Sequence, residues 1–408
     1  MNARAAQKFK FGVEVPKNTK HALTLDRLND NSLWKATTDK ELAEINMHKT
    51  FRVTTKEDDL TGFKRLPYHI IFDCKFDGHC KARLVVQGNH SDPPKEDIYS
   101  GVVNMDSVRL AFQIAAMNNL SVCAADVSTA FLYGKSREKV YINAGKEFGE
   151  LEGQTLIVDK GIYGLRSSAA RFHEHLSEKI RRMGFKPSRA DPDLYIREAN
   201  GHYDMLACYM DDLITFGKKP LEIINEFKKT YMLKGIGEPE CYLGGDVQML
   251  NEHWQKQGAA TGLSASTYIK NTIDKFERML KNNFKTEQTP MAEGDHPEMD
   301  DSKFCSPQQH SHFRALIGSA NWCITLGRFD IAFATQSLMG FCMAPRVGHL
   351  NRMMRVFGCM KTHPNGSIII DPSLLDHDKH KLPQGMDWKE FHPGASQRET
   401  EPSINSGA

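Results

Sequence analysis

HYDMLACYMDDLITFG, residues 202–217, sets an apolar run on each side of two adjacent carboxylates, Asp211 and Asp212. Such runs meeting at a polar pair read as the strands of a β-hairpin with Asp-Asp in its tight turn. Carboxylates crowded at a turn repel each other, and a divalent cation relieves that repulsion. Paired metals at such a site stabilise both the attacking and the leaving oxygens of an in-line displacement, as nucleotidyl transfer requires. Taken alone, Tyr209-Met210-Asp211-Asp212 also fits a plain surface turn.

A second carboxylate supports the chemical reading. Eighty-five residues before Asp211, SVCAADVSTAF (121–131) forms a small apolar strand ending in Asp126, with Phe131 five positions on. An Asp at the end of a buried strand is costly unless paired or metal-bound. As an alternative, Asp126 caps a helix that starts after Val127. With the hairpin pair, Asp126 makes a three-carboxylate cluster.

The blocks DVSTAFLYG (126–134), KGIYGLRSSAARFHE (160–174), DPDLY (191–195), YMDDLITFG (209–217) and YLGGDV (242–247) follow in order. Their order and spacing resemble the reverse transcriptase of copia-type LTR retrotransposons. The likeness runs upstream through KARLVVQG (81–88) and downstream through FRALIGSANWCITLGRFDIAFA (313–334), covering roughly residues 65–365. It implies an α+β right-hand polymerase of fingers, palm and thumb, with an antiparallel palm sheet flanked by helices. The implied divisions are an N-terminal extension (1–47), fingers and palm (48–250), a thumb or connection-like region (251–365) and a linker-like tail (366–408).

The resemblance also assigns roles. Asp126, Asp211 and the backbone carbonyl of Val127 are expected to ligate two Mg²⁺ ions, with Mn²⁺ as a substitute and Asp212 supporting the site. Lys81 and Arg83 are expected at the triphosphate of the incoming dNTP, although an edge strand decorated with charge gives the same pattern. Phe131 is expected as the aromatic gate beneath the sugar, against the alternative of a core Phe. Gly164 and Leu165 are expected to floor the nucleotide and template pocket, with Arg166 on a phosphate. Ser167 and Ala169 depart from the family's Gln and Pro, which puts side-chain contacts there in doubt. Tyr242-Leu243-Gly244-Gly245 resembles a primer-gripping turn, with Met210 near the primer terminus. The partners implied are an RNA or DNA template with its primer, and dNTPs; the oligomeric state is left open.

Composition agrees. The formal net charge is only +2, but no acidic residue falls between Asp330 and Asp371, where Arg346, Arg352, Arg355 and Lys361 lie. Lys and Arg also cluster in 166–189 and 218–234. Basic stretches of this kind suit phosphate backbones or ordinary solvated helix faces. Nine cysteines without zinc-type spacing predict free thiols in a reducing compartment. No apolar stretch approaches the roughly 20 residues that cross a bilayer, and MNARAAQKFKFG lacks a secretory core. These features predict a soluble intracellular protein, cytoplasmic or nuclear, with no membrane partner.

Periodicity fills in the rest. LPYHIIFDCKFDGHCKARLVV predicts two strands joined at Asp77-Gly78, with Lys81 and Arg83 on one side. A helix is expected near 39–47. Val108, Ala111, Phe112 and Ala115 share one helical face. TLIVDKGIYGL (155–165) predicts a strand to Gly164, followed by a helix burying Ala169, Phe172, Leu176, Ile180 and Met183, capped by Ser168 and stopped by Gly184. Asn200-Gly201 predicts a hairpin turn. STYIKNTIDKFERMLKNNF (266–284) is a basic amphipathic helix suited to a thumb. TPMAEGDHPEMDD (289–301) reads as a linker, and the stretch from Asp371 as loosely ordered.

Zinc knuckle, aspartic protease and integrase have no counterpart before residue 65, and RNase H carboxylates have none after 365, so a truncated Pol fragment is expected. Two rival readings stand beside the polymerase. One is an inactive fragment that only binds nucleic acid. The other is a different palm-type enzyme, a nucleotide cyclase or template-independent transferase, which would need neither Lys81/Arg83 nor the IYGL turn.

Overall fold

The computed structural model describes residues 8–250, apart from 11, 76, 77, 94, 95 and 97, and residues 260–370. Asp77 of the expected turn and the stretch from Asp371 lie outside the described residues.

Two N-terminal helices, α1 (Thr19–Leu28) and α2 (Leu33–Met47), pack against a hairpin of β1 (Tyr68–Cys74) and β2 (Cys80–Val86). The hairpin has the two-residue alternation its sequence predicts. Ile70, Phe72, Ala82, Leu84 and Val86 are buried, while Lys81 and Arg83 take the other side. Trp34 of α2 meets Phe72 edge-on at 5.5 Å. Glu41 of α2 accepts a 3.0 Å hydrogen bond from the Leu84 amide, which satisfies a donor on the outer edge of β2. Residues 19–47, in the expected N-terminal extension, therefore pack onto this hairpin. The helix expected near 39–47 begins at Leu33.

Cys74 and Cys80 face each other across the hairpin, Cα atoms 4.3 Å apart, and form a disulfide. This corrects the expectation of free thiols throughout. Direct opposition in an antiparallel ladder brings Cβ atoms within bonding reach. The other seven cysteines are free.

The central sheet is antiparallel throughout. It comprises β3 (Ser121–Val127), β4 (Lys186–Pro187), β5 (Leu194–Ala199), β6 (His202–Tyr209), β7 (Asp212–Gly217) and β8 (Leu233–Gly237), in spatial order β4-β5-β6-β7-β3-β8. Both faces are covered. Met205, Ala207, Ile214 and Phe216 face helix α3 (Met105–Met117), where Phe112 meets Phe216 edge-on at 5.1 Å. Leu206, Cys208 and Leu213 face α4 (Ser168–Arg182) and α5 (Pro220–Lys228). Burial on both sides is why MLACY and LITF are continuous apolar runs and do not alternate. Val108, Ala111, Phe112 and Ala115 are all buried, as their spacing predicts. The turn at Asn200-Gly201 joins β5 to β6 as expected.

The strand expected up to Gly164 ends at Val158, in a small sheet with Phe51–Val53, Val140–Asn143 and Lys64–Arg65. Residues beyond it turn back towards β2. Ser168 opens α4 but does not cap it. Its hydroxyl accepts from the Ile162 amide at 2.8 Å and donates to the Ile162 carbonyl at 2.7 Å, latching that turn. In α4, Phe172, Leu176 and Ile180 are buried as expected, whereas Ala169 and Met183 are half-buried.

A second sheet, β9 (Cys241–Tyr242), β10 (Gly245–Leu250), β11 (Ala260–Ser264) and β12 (Ser367–Ile370), covers the far side of α3. The expected divisions at 250 and 366 thus fall at β10 and just before β12. Between β11 and β12 run helices α6 (Ser266–Leu280), α7 (Pro307–Thr325), α8 (Ala332–Met339) and α9 (Val347–Thr362), which share one core around Phe276, Phe313 and Phe357.

The tract without acidic residues turns its charge inward. Arg352 reaches Asp295 at 2.9 Å and also Asp300, Arg355 reaches Glu287 at 2.7 Å, and Lys361 reaches Glu277 at 2.7 Å. Arg346 donates to the Ser302 carbonyl and lies 4.4 Å over the Phe304 ring. The supposed linker 289–301 supplies two of the counter-charges, so this tract is not a free phosphate-binding surface. Removing Arg352 leaves two largely buried carboxylates unpaired. Arg352→Ala should therefore lower the free energy of unfolding by about 2–3 kcal/mol. The urea midpoint reads this, while the salt slope of duplex binding should stay unchanged.

Candidate active site

Asp126 is the penultimate residue of β3 and Asp212 begins β7, directly opposite each other in the antiparallel ladder. Tyr209 pairs with Asp212, so the two-residue turn between β6 and β7 is Met210-Asp211, one residue earlier than the expected Asp-Asp turn, and Asp212 already belongs to β7. Met210 has φ +56°, a left-handed conformation uncommon for a side-chain-bearing residue. The Asp211 carbonyl accepts a 2.8 Å bond from the Val127 amide, which ties this turn to the end of β3. Register and turn length together bring all three carboxylates to one end of the sheet.

Their electrostatics show the crowding. Burial, and then the Asp126 charge, raise Asp211 above the usual carboxylate range, against its own backbone amide, Lys234 and Arg83. Burial, then Asp211 and Asp126, push Asp212 up to about 6, with Lys234 opposing. Lys234 of β8 is the register partner of Asp126, and its Nζ lies 2.7 Å from Asp126 Oδ1. That oxygen is buried and accepts no hydrogen bond, so the ammonium meets it as an ion pair. Among the described residues no three His, Cys, Asp or Glu side chains form a metal cage by themselves. The donor set nonetheless fits a divalent cation. Its oxygens are hard and mutually repelling, and a cationic group already stands against Asp126.

Asp212 yields a pH prediction. Its folded pKa lies above the unfolded value near 4, so the folded state holds this proton more tightly. The stabilisation is complete below about pH 4 and is lost as pH rises through about 6. In EDTA, Asp212→Asn should be more stable than the parent at pH 7 by on the order of 1 kcal/mol after solvent screening. Below pH 4 the difference should vanish. Urea midpoints from pH 4 to 7 check this, and equal midpoints at pH 7 would rule it out.

Cations face the carboxylates from the hairpin. Burial lowers the Lys81 pKa, and so do the neighbouring charges of Lys75, Lys234 and Arg83. Arg83 Cζ lies 4.9 Å over the Tyr163 ring, and Tyr163 meets Phe131 edge-on at 5.1 Å. The rings thus join the hairpin to the strand end that carries Asp126. Phe131 is half-buried beside the core of the central sheet, with Thr129 before it at φ +53°. Tyr163 and Lys234 were not among the residues singled out from sequence. Tyr163 was legible from its place in the IYGL turn, whereas Lys234 stands in YMLKGIG with no local mark.

The remaining assignments divide. Gly164 has φ +94°, and a Cβ built there would lie 1.9 Å from the Val86 carbonyl oxygen, so β2 crosses directly over this turn. The Leu165 side chain is buried with Val86 and Ile162, which leaves only its backbone to floor a pocket. Arg166 was expected on a phosphate. Instead it donates to the carbonyls of Gly88 and Asn89 at 3.0 and 3.1 Å and locks the same crossing. Leu243 and Gly244 form the two-residue turn between β9 and β10, and the Tyr242 ring is buried behind the central sheet.

Residues 48–293 match the family described as reverse transcriptase (RNA-dependent DNA polymerase). The chain belongs to that family, and its central sheet is antiparallel and flanked by helices, as the resemblance implied. Its relatives are copia-type transposon proteins, as the sequence blocks predicted. The retrovirus-related Pol polyprotein from transposon TNT 1-94 of Nicotiana tabacum is 25% identical over 340 residues, 78% of this chain and 24% of the relative. The putative transposon Ty5-1 protein of Saccharomyces cerevisiae is 27% identical over 248 residues, 58% of this chain and 75% of the relative. A foamy viral protease-reverse transcriptase solved in complex with double-stranded DNA aligns at TM-score 0.41 and 13% identity, over 81% of this chain and 48% of that one. The chain spans about a quarter of the Nicotiana polyprotein.

Proposed function

We propose that this chain is an RNA-directed DNA polymerase that adds deoxynucleotides to a primer 3′-hydroxyl on an RNA or DNA template. The observation that carries the reading is the opposition of Asp126 and Asp212 across the β3–β7 ladder, with Asp211 in the adjoining two-residue turn. Two Mg²⁺ ions, or Mn²⁺ in their place, would be held by Asp126, Asp211 and the Val127 carbonyl. Bound there, they supply charge neutralisation at the attacking and leaving oxygens. The side chains hold and orient. Asp212 supports the pair from across the ladder, and Lys81 and Arg83 bring positive charge from β2 to the triphosphate. The residue 48 to 250 segment then carries fingers and palm, and the helices from Ser266 to Thr362 a thumb-like body.

Phe131 would be the sugar-facing ring that excludes a 2′-hydroxyl; its contact with Tyr163 near the end of β3 supports that role. Phe131→Ala should narrow the preference for dNTP over rNTP by roughly tenfold or more, as loss of a steric barrier worth about 1.4 kcal/mol predicts. Single-nucleotide incorporation with both substrates measures it, and an unchanged ratio would assign Phe131 to the core. Template-directed synthesis on RNA tests the function itself. An inactive nucleic-acid-binding relic predicts salt-dependent duplex binding with no extension.

A further inference from the structure

Lys234 has no part in the proposed function, yet its ammonium meets one of the three site carboxylates. It pairs in register with Asp126, and its Nζ stands 2.7 Å from Asp126 Oδ1, on an oxygen that accepts no hydrogen bond. The ladder between β8 and β3 shifts register just beyond it, between Lys234 and Gly237. A bulge at such a point re-aims the neighbouring side chain. The charge of Lys234 bears on Asp211 and Asp212 as well as Asp126, and it also bears on Lys81 of β2. The ammonium, seated on Asp126, therefore acts electrostatically on the other palm carboxylates and on a hairpin cation as well. Its side chain is 51% exposed, against 31% for Asp126, and so has room to leave.

We infer that Lys234 is a built-in counter-ion that occupies the cation position on Asp126 in the metal-free enzyme and must be displaced when a divalent metal binds. This rests on the proposed metal-binding role of Asp126. Three crowded carboxylates with no metal would otherwise carry uncompensated repulsion, and Lys234 offsets part of it. The consequence is a competition. A divalent ion must displace the ammonium, so the free enzyme binds metal weakly. Once displaced, the long lysine stem leaves the ammonium on the Lys81 side of the site, where a polyphosphate would receive it. Lys234 is a positioning residue in this account, acting through Asp126.

Mn²⁺ titration followed by electron paramagnetic resonance, on the full chain without nucleotide or nucleic acid, tests the inference. Lys234→Met should bind Mn²⁺ roughly tenfold more tightly than the parent, because a like charge a few ångströms from the ion is gone. Lys234→Gln should do the same, and Lys234→Arg, which keeps the charge, should stay within about twofold of the parent. The gain should disappear in the Lys234→Met/Asp126→Asn double variant. A purely structural lysine would give no gain in affinity in any of these. Equal or weaker binding by folded Lys234→Met and Lys234→Gln, or no detectable binding by either, would overturn the inference. If Asp126→Asn leaves Mn²⁺ affinity unchanged in the Lys234→Met background, it is the metal-site reading of Asp126 that fails.

Discussion

Asp126→Asn is expected to reduce primer extension by at least about a thousandfold, some 4 kcal/mol of barrier, with the fold retained. The substitution keeps the side chain's size and removes its charge. It relieves the repulsion by which Asp126 raises Asp211 and Asp212, and it releases Lys234, which is half-exposed and can be solvated, from its ion pair. What is lost is an anionic oxygen at the one place where β3, β7 and the Met210–Asp211 turn converge. Asp212→Asn should cost less, since Asp212 is expected only to support the site. Single-turnover extension, with urea midpoints measured in parallel, separates chemistry from folding. A loss of less than tenfold for Asp126→Asn would remove it from the reaction centre.

Gly164→Ala should separate the turn at Gly164 from β2 and cost the architecture heavily. An added Cβ would lie 1.9 Å from the Val86 carbonyl oxygen and 2.8 Å from Val85 Cγ1, on a residue already at φ +94°. Backbone cannot give way cheaply here, because the Val86 amide also donates to the Tyr163 carbonyl at 2.8 Å. The turn and β2 must separate, and β2 carries Lys81 and Arg83. The expected cost is about 3–5 kcal/mol of stability. Gly201→Ala is the control, since Gly201 has φ +82° with nothing within 4 Å of an added Cβ. It should cost only about 1 kcal/mol, the backbone contribution alone. Equal urea midpoints for the two variants would mean that the crossing is looser than described.

Much of this arrangement was legible in the sequence because it is local. The turn at Asn200-Gly201 and, to within one residue, the hairpin turn at the Asp-Asp pair follow from residues within a few positions, and the buried face of α3 follows from its 3.6-residue period. The apolar runs around Asp211 identified the hairpin strands, and their lack of alternation is explained by the burial of both faces that the structure shows. Pairings between distant segments were not legible. The bonds from Glu41 to Leu84, Arg352 to Asp295 and Asp300, and Arg166 to Gly88 join residues 43 to 78 positions apart. The charge run before Asp371 therefore read as a basic surface or a solvated helix face, although its partners Glu277, Glu287, Asp295 and Asp300 lie earlier in the chain. Lys234 was hidden for the same reason. A lysine in a short strand has no periodic mark, and only the β3–β8 register reveals that it faces Asp126.

Extension of oligo(dT) on poly(rA) with Mg²⁺ and dTTP, beside an Asp211→Asn control, tests the central claim most directly. The account predicts elongation by the parent chain and none by the variant. Equal elongation by both, or a parent that binds the duplex and never extends it, would contradict it.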